Sequence, residues 1–272
     1  MNTQKNTIGF IGAGNMASSL IAGLINSGVD PKDITATSPE DAHLRTLSNN
    51  FGIKTTKDNK EIGKSCNTIV LAVKPQIVSP VLNELSGLIN NEQHLIVSIA
   101  AGIKIADIQA ELDGDQRIIR AMPNSPASIR RGVTALCANE NSSEEDLRVA
   151  TGIFESVGVT CLLKEQSLDL YTSLIGSGPA YIFYLVEALM ESSNALDFTE
   201  NEMKNLLLNM IIGSAELAKQ SIDSPKILRE KVTSPGGVTE RALEVFEEER
   251  LKTTIQKAVQ EATKRSIELG NK

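Results

Sequence analysis

The sequence predicts an α/β protein in two parts, a largely parallel β-sheet covered by helices and then a part built from helices alone. In residues 1–164, short apolar runs alternate with segments of helical periodicity, which is the pattern of βαβ units. In residues 165–272 the strand signal ends, and long amphipathic segments follow one another with few turn residues. Because no flexible linker separates the parts, we expect two domains, 1–164 and 165–272, that pack directly.

Composition and charge limit the classes of function. Of the 272 residues, 41% are hydrophobic and 22% are charged, which is typical of globular domains with a core. The net charge of -7, without a long basic run, argues against nucleic acid or an anionic membrane as a partner. No apolar run reaches the roughly 18 residues of a membrane span, and the start MNTQKNT lacks the regions of a signal peptide. We therefore expect a cytoplasmic protein.

Cysteine and histidine are too sparse to indicate a metal centre. Cys66, Cys137 and Cys161 are widely spaced and form no CxxC pair, so neither a disulfide framework nor a zinc site is predicted. We expect all three thiols to be reduced and buried. His43 and His94 are the only histidines, and a histidine-based metal site is not expected.

The first part contains seven short apolar runs that we predict as strands, the middle ones apolar enough to be buried on both faces. They are 7–12, 34–38, 67–73, 94–100, 117–122, 133–138 and 158–163. Among the helices between them, 15–27 places Met16, Leu20 and Leu24 on one face. The helix predicted at 143–156 begins with Ser-Ser-Glu-Glu, which is typical of a helix cap.

The second part contains five amphipathic segments that we predict as helices. They are 166–175, 179–195, 199–221, 224–231 and 239–268. The third carries an apolar stripe formed by Leu206, Met210, Gly213 and Leu217, with Ile211 and Ile212 beside them. This stripe is wider than a helix with one solvated side needs, so we expect it to be buried against a partner subunit. A helical bundle within one chain is the alternative.

The segment GAGNMA (12–17) follows the first strand directly and begins the first helix, which is the setting in which Gly-x-Gly-x-x-Ala binds a dinucleotide. Gly12 permits the tight turn, Gly14 lets the backbone approach a pyrophosphate, and Ala17 permits close packing of helix on strand. The helix N-terminus favours phosphate charge. We therefore predict a Rossmann-type dinucleotide-binding domain, with a purely structural turn as the alternative.

The end of the second predicted strand favours NADP over NAD. An Asp or Glu there would hydrogen-bond the adenosine ribose of NAD, but the sequence ATSPED places Thr37 and Ser38 at this point. Their hydroxyls can donate to a 2′-phosphate, so the predicted cofactor is NADPH, with NADH as the alternative. Ser38 followed by Pro39 is also typical of the start of a helix, and both roles can hold together.

Later strand ends outline one crevice at the same edge of the sheet. LAVKP (71–75), IAAG (99–102) and MPNSP (122–126) each end a strand with small residues or a proline. Pro75 ends its strand and leaves Lys74 at the rim, where the lysine either contacts the cofactor or is simply solvated. Open α/β sheets bind ligands at this edge.

Two helix-breaking inserts stand out in the helical part. GSGPAY (176–181) interrupts an apolar helix, and SPGGVT (234–239) precedes a new one. Gly236 and Gly237 allow close backbone approach, and free N–H groups at the following helix start can bind an anion such as a carboxylate. Thr239 presents a hydroxyl beside them, able to donate and accept. The alternative is a helix cap with its preceding turn.

The motifs FIGAGNMA, AVKP, MPNSP, GSGPAY and VTSPGGVT occur in the order and spacing of the Δ1-pyrroline-5-carboxylate reductase family, and the resemblance covers essentially the whole chain. It implies a Rossmann domain followed by a helical domain whose helices interleave with those of a second subunit. The active site would lie at that dimer interface, and assembly of dimers into rings is left open. The resemblance implies NADPH-dependent reduction of a small cyclic imine, 1-pyrroline-5-carboxylate, to L-proline.

The resemblance also implies the site residues. Cofactor contacts fall on Gly12, Ala13, Gly14, Asn15 and Met16 at the pyrophosphate, Thr37 near the 2′-phosphate, Asn59 near the adenosine, and Val73, Lys74 and Ala100 along the crevice. Substrate contacts fall on Ser234, Gly236, Gly237 and Thr239. The family often has two threonines where this chain has Val238 and Thr239. The second is the one associated with the substrate, so the assignment stands.

Imine reduction requires a hydride on C5 and a proton on nitrogen. Because protonation of the imine in solution already makes C5 electrophilic, a site without a histidine, a metal or an acid pair is adequate, and catalysis would come from orientation and electrostatic positioning. We hypothesise that the 234–237 backbone holds the substrate carboxylate while Thr239, the catalytic residue, hydrogen-bonds the ring nitrogen.

Two other functions stay open from the sequence. A dehydrogenase of the β-hydroxyacid or imine-reductase type shares a Rossmann domain followed by helices, although GSAELAK (213–219) does not reproduce the lysine spacing typical of the hydroxyacid enzymes. An NADP-binding regulatory protein that has lost catalysis is the second, and an intact SPGGVT argues against it.

Overall fold

The computed structural model describes residues 6–112 and 115–270, and its sheet has eight strands. The strands are β1 Ile8–Ile11, β2 Ile34–Thr37, β3 Lys54–Thr56, β4 Thr68–Leu71, β5 Leu95–Ser98, β6 Arg117–Met122, β7 Gly132–Ala138 and β8 Gly158–Leu162. Their order across the sheet is β3-β2-β1-β4-β5-β6-β7-β8. Every neighbouring pair is parallel except β6 and β7. The predicted α/β class with a Rossmann-type first part is confirmed.

Helices connect most of the strands and predominate after β8. They are α1 Asn15–Asn26, α2 Asp41–Phe51, α3 Asn59–Ser65, α4 Pro75–Leu85, α5 Ile105–Glu111, α6 Glu144–Glu155, α7 Leu168–Tyr171, α8 Gly178–Glu191, α9 Glu200–Gln220, α10 Pro225–Lys231, α11 Val238–Glu248 and α12 Leu251–Leu269. The cap predicted before α6 is present, because Ser143 and Asp146 form a reciprocal capping box.

The central strands are buried on both faces, as their continuous apolar runs predict. Every residue of β1, β4 and β5 is buried. One face of the sheet packs with Leu20 and Phe154 in a core cluster, and the other face packs with Ile62 and Leu82 in a second cluster. Two covered faces hold the central strands rigidly, which fixes the positions of the loops at their carboxyl ends.

Several sequence-based expectations about the elements are wrong in detail. Strand β3 has the polar sequence Lys-Thr-Thr and lies at the edge of the sheet, so it has no apolar signal. The helix expected over 239–268 ends at Glu248 and restarts at Leu251, since Arg250 adopts a left-handed φ of 53° between them. The antiparallel β6–β7 pair was not expected from the alternation of strands and helices.

The GSGPAY insert interrupts its helix, as predicted, with a bend at Ser177. The chain passes through one π-helical turn, Thr172–Gly176, and α8 begins at Gly178. The widened turn is held by Asn124 of the MPNSP motif, whose Nδ2 donates to the Ile175 carbonyl at 3.2 Å while its Oδ1 accepts from Val133 N at 2.8 Å. The MPNSP motif therefore contacts the helical turn that directly precedes GSGPAY.

Contacts divide the chain into two compact units. The first consists of Met1–Ser177 together with Ala262–Lys272, and the second consists of Gly178–Glu261. The last turns of α12 pack on the first unit, where Ser266 Oγ donates to Asp169 Oδ1 at 2.6 Å and Gly270 lies against Gly102. The sequence-based boundary at residue 164 remains a prediction.

The second unit lacks a core of its own. No residue of α9, α10 or α11 is buried, and in α8 only Val186 is, all of these helices lying within the described ranges. Large apolar side chains are instead exposed, among them Tyr181, Ile182, Phe183, Tyr184, Leu185, Leu206, Met210, Ile212 and Leu217. This distribution argues against the alternative of a self-contained helical bundle, because such a bundle would bury one stripe of each helix.

One helical stretch has the length and composition of a membrane span. Within the described residues, Glu165–Glu191 is 27 residues long and contains an 18-residue window with a mean hydropathy of 1.3. The same stretch contains the exposed apolar residues 181–185, so its hydropathy arises from the side chains that leave the second unit without a core.

The cysteine prediction holds for two thiols of three. All three are free, and Cys66 and Cys137 are buried, so that desolvation raises the pKa of the Cys137 thiol to about 11. Cys161 is exposed, because it lies in β8 at the edge of the sheet, most of whose residues are exposed.

Candidate functional site

The first candidate site lies where the chain reverses direction across the sheet. From β1 the chain continues to β2 and β3 on one side, and β4 and β5 follow on the other side of β1. Crossover helices therefore leave the sheet in opposite directions at the carboxyl ends of β1 and β4. This divergence opens a crevice that binds ligands in open α/β sheets.

Gly12 is fixed in this crevice by its backbone. Its φ is 108°, which favours glycine, and its N–H donates to the Thr37 carbonyl at 3.0 Å. A Cβ at this position would lie 2.4 Å from the Ala72 carbonyl oxygen and 3.2 Å from Val73 Cγ1. The glycine is therefore required for the turn itself, and the turn brings Gly12, Thr37 and Val73 together.

Gly14 is open where Gly12 is crowded. No other part of the protein lies within 4 Å of the place that a Gly14 Cβ would take. Gly14 is the N-cap of α1, and no side chain forms a capping hydrogen bond at this helix start. The first turn of the helix contains no acidic residue. A helix N-terminus with open space above a glycine fits the pyrophosphate of a dinucleotide.

Thr37 and Asn59 are brought together, but they bind each other. The Thr37 side chain is only 1% exposed, and its hydroxyl donates to Asn59 Oδ1 at 2.7 Å. Asn59 Nδ2 in turn donates to Glu84 Oε2 at 2.8 Å. The one hydroxyl proton of Thr37 is therefore donated within the chain. Sequence reasoning missed Glu84, which carries no motif signal.

Ser38 and Lys57 lie beside this network. Ser38 Oγ accepts from Glu40 N at 3.1 Å, which leaves the hydroxyl proton available. Thr37 of β2 pairs with Thr56 of β3. Ser38 and Lys57 are the next residues after this pair, so both come at the same edge of the sheet. Lys57 Nζ lies 2.8 Å from Asp41 Oδ1, and it holds the pKa of that carboxyl below its ordinary value. Lys57 was missed because β3 was missed.

The other predicted cofactor residues line the same edge. Lys74 is exposed as the N-cap of α4, directly before Pro75. Ala100 is buried just beyond β5, with its N–H donating to Ser98 Oγ at 3.3 Å. Among the described residues, no group of three or more His, Cys, Asp and Glu side chains is arranged to hold a metal ion.

The second candidate site is the turn before α11. Gly237 N donates to the Ser234 carbonyl at 2.9 Å, and Gly236 has a φ of 70°, so residues 234–237 form a β-turn with glycine at the position that needs positive φ. A Cβ on Gly237 would lie 2.8 Å from the Ser234 carbonyl oxygen. Both glycines are thus required for this turn, which ends at the N-cap of α11.

This turn binds a carboxylate within the chain. Gly236 N donates to Glu240 Oε2 at 2.6 Å, a short distance for a charge-assisted hydrogen bond. Glu240 is the third residue of α11, where acidic side chains often bond back to the N–H groups before a helix. Sequence reasoning missed this contact, although a Glu three residues after the N-cap is the signal that predicts it.

Thr239, the predicted catalytic residue, is exposed at the second position of α11. It follows Val238, whose side chain is 91% exposed. Thr239 is thus three residues after Gly236, in the first turn of the helix that the turn precedes. Ser234 and Gly236 are also exposed, so the four predicted substrate residues form one surface of the second unit.

Two sequence families match this chain. The family described as "Pyrroline-5-carboxylate reductase dimerisation" matches residues 165–269, and the one described as "NADP oxidoreductase coenzyme F420-dependent" matches residues 7–102. Curated relatives named pyrroline-5-carboxylate reductase match along the whole length. The protein of Pseudomonas aeruginosa is 37% identical, over 97% of this chain and 96% of its own. That of Methanosarcina acetivorans is 36% identical over 100% of both.

Solved structures agree with these relatives. A pyrroline-5-carboxylate reductase from Coxiella burnetii has a TM-score of 0.92 at 37% identity, covering 98% of this chain and 99% of its own. The pyrroline carboxylate reductase of Plasmodium falciparum, solved with NADP bound, has a TM-score of 0.88 at 30% identity, covering 98% of both chains. A prephenate dehydrogenase from A. aeolicus has a TM-score of 0.56 at 16% identity, which is a likeness of fold alone.

Proposed function

Since this chain belongs to the pyrroline-5-carboxylate reductase family, we propose that it reduces 1-pyrroline-5-carboxylate to L-proline with NADPH. The observation that carries the proposal is end-to-end similarity to reductases of this name, which includes both the crevice at Gly12 and the turn at 234–237. Each of the two alternatives, a hydroxyacid-type dehydrogenase and an NADP-binding regulator, accounts for the crevice but not for the turn.

The cofactor fits the crevice of the first unit. The pyrophosphate would lie over Gly14, against the backbone of residues 12–16 at the start of α1. The 2′-phosphate would receive the free hydroxyl proton of Ser38 and the charge of Lys57, with Thr37 and Asn59 supporting that wall. Lys74, Val73 and Ala100 would border the remainder. Bound there, NADPH supplies the hydride.

The turn at 234–237 would hold the substrate carboxylate. Its Gly236 N–H already accommodates a carboxylate at hydrogen-bond distance, that of Glu240, which stands in for the substrate group. The positive end of α11 adds to the attraction. Thr239 would hydrogen-bond the ring nitrogen from the same helical turn and position its proton. This arrangement orients an imine that is already electrophilic, so no strong protein acid is needed.

The test is a turnover assay. Purified protein is mixed with NADPH and 1-pyrroline-5-carboxylate, loss of NADPH absorbance is followed, and L-proline is identified as the product. We expect saturable oxidation of NADPH, with a lower KM for NADPH than for NADH. Binding of NADPH without any turnover above background would favour the regulatory alternative and contradict the proposal.

We further propose that the protein works as a cytoplasmic homodimer built through its C-terminal helices. The match to a dimerisation family over 165–269 supports association, and the absence of a core in the second unit supports burial of its apolar side chains by a second copy. Because the site residues of the second unit lie in the turn before α11 and in its first turn, association would also determine whether this surface is covered by the second copy. Assembly of dimers into rings remains open.

Charge on the apolar stripe should prevent association. We expect Met210→Asp, which places a charge on a half-exposed apolar side chain, to shift the protein toward the monomer by at least about tenfold in dimer dissociation constant, because an unpaired charge is costly to bury. Sedimentation velocity measures the shift. Asn201→Asp is the matched control, since Asn201 is an exposed residue on the opposite side of the same helix. A wild-type protein that stays monomeric at micromolar concentration would contradict the dimer.

A further inference from the structure

The Glu240 carboxylate occupies the N–H group that the proposed function assigns to the substrate. Gly236 N is 2.6 Å from Glu240 Oε2, and an N–H group has one proton to donate. Substrate and Glu240 therefore compete for one donor. Both are carboxylates, so their charges would also repel at this distance.

We propose that Glu240 is an internal competitor for the substrate carboxylate, which must displace it, so that Glu240 sets the KM for carboxylate-bearing imines. The inference rests on the proposed function and deepens it, because it makes Glu240 a specificity-determining residue. A substrate with its own carboxylate can replace Glu240 at the Gly236 N–H. An imine without a carboxylate makes no such exchange.

The turn is built to keep its shape when Glu240 leaves. Its backbone is held by the Gly237 N to Ser234 carbonyl bond at 2.9 Å, by the ring of Pro235 and by the positive φ of Gly236, none of which involves the Glu240 side chain. Rotation of the Glu240 side chain frees the N–H without a movement of the main chain. The exchange is thus a side-chain event.

A displaced Glu240 can turn into a cavity of the second unit. This cavity has a volume of about 270 Å³, and besides Glu240 its polar lining consists of Arg229, Thr233, Glu230, Glu244 and Glu247. Its one cation, Arg229, already lies 4.0 Å from Glu230 Oε1. Because three other carboxylates face the same space, their like charges oppose the displacement of Glu240, and the substrate carboxylate has to overcome this cost.

The test measures KM in the Glu240→Ala variant. We expect the KM for 1-pyrroline-5-carboxylate to fall about threefold to tenfold, the range that corresponds to loss of one competing hydrogen bond, with kcat within about twofold of wild type. Glu240→Gln, which keeps an acceptor without the charge, should give an intermediate KM. Calorimetric titration of L-proline into the NADP-loaded protein should show tighter binding by the same factor.

Two controls separate competition from a general effect of charge or stability. Glu244→Ala removes a carboxylate one turn further along α11, where Glu244 pairs with Arg241 at 2.8 Å, and should leave KM unchanged. The substrate 1-pyrroline, which has the same imine but no carboxylate, should be reduced by Glu240→Ala with the wild-type kcat/KM. The proposal would be overturned if KM also fell in Glu244→Ala. It would be overturned equally if Glu240→Ala showed a lower KM for 1-pyrroline.

Two further outcomes would also contradict the proposal. An unchanged or higher KM in Glu240→Ala, with normal wild-type turnover, would mean that Glu240 supports the turn instead of competing, and it overturns this inference alone. A wild-type protein without turnover of 1-pyrroline-5-carboxylate overturns the proposed function and this inference with it.

Discussion

Gly12→Ala should lower the free energy of unfolding by about 3 kcal/mol or more and abolish measurable binding of NADPH. An alanine at φ 108° is strained, and its Cβ would lie 2.4 Å from the Ala72 carbonyl oxygen, a backbone atom that cannot move without disturbing the end of β4. Urea denaturation measures the stability, and the change in NADPH fluorescence on binding measures the affinity.

Gly14→Ala is the matched control, with the opposite balance of effects. Apart from Gly14 itself and its two chain neighbours, no part of the protein lies within 4 Å of the place for its Cβ, so stability should stay within about 0.5 kcal/mol of wild type. Affinity for NADPH should still fall at least tenfold, because the new methyl group enters the space above the start of α1. Normal binding of NADPH by the Gly14→Ala protein would show that the pyrophosphate does not lie at this position.

Thr239→Ala should lower kcat/KM for 1-pyrroline-5-carboxylate by roughly 100-fold, the size expected when a group that positions or delivers a proton in the transition state is lost. Affinity for NADPH should remain near the wild-type value, because the cofactor residues lie in the other unit. Steady-state kinetics and NADPH titration on the same preparation measure both quantities.

Two variants test whether the hydroxyl of Thr239 is the cause. Thr239→Ser keeps the hydroxyl and should retain most of the activity, within about tenfold of wild type. Val238→Ala truncates the neighbouring side chain, which is 91% exposed, and should have little effect. Full turnover by Thr239→Ala would exclude the hydroxyl from catalysis, and equal losses in Thr239→Ala and Thr239→Ser would point to a packing role.

The parts of the fold that sequence reasoning predicted are those where one strong local signal decides the structure. The run before GAGNMA is apolar throughout, and it forms β1 followed by the Gly12 turn and α1. Strand β3 has no such signal, because an edge strand needs no apolar face, and the antiparallel β6–β7 pair depends on how the loop after β6 returns. Which strands pair at the edge of a sheet depends on tertiary packing, and the periodicity of the sequence does not reveal it.

The site was predictable at the level of backbone and less so at the level of side chains. The glycines at 12 and 236 are dictated by turn geometry, which a sequence expresses directly. The partner of a side chain is not expressed in this way, so neither the bond from Thr37 to Asn59 nor the position of Lys57 could be read from ATSPED. The contact between Glu240 and Gly236 is local in sequence, and its capping pattern could have revealed it.

The return of α12 to the first unit has a consequence for synthesis on the ribosome. Ser266 and Gly270 complete contacts with Asp169 and Gly102, yet they are translated only after the whole second unit. The nucleotide-binding unit therefore cannot acquire all its native contacts while the chain is still growing, although domains generally fold as units during synthesis. A nascent chain that stalls before residue 262 would carry a formed sheet that still lacks one of its packing elements.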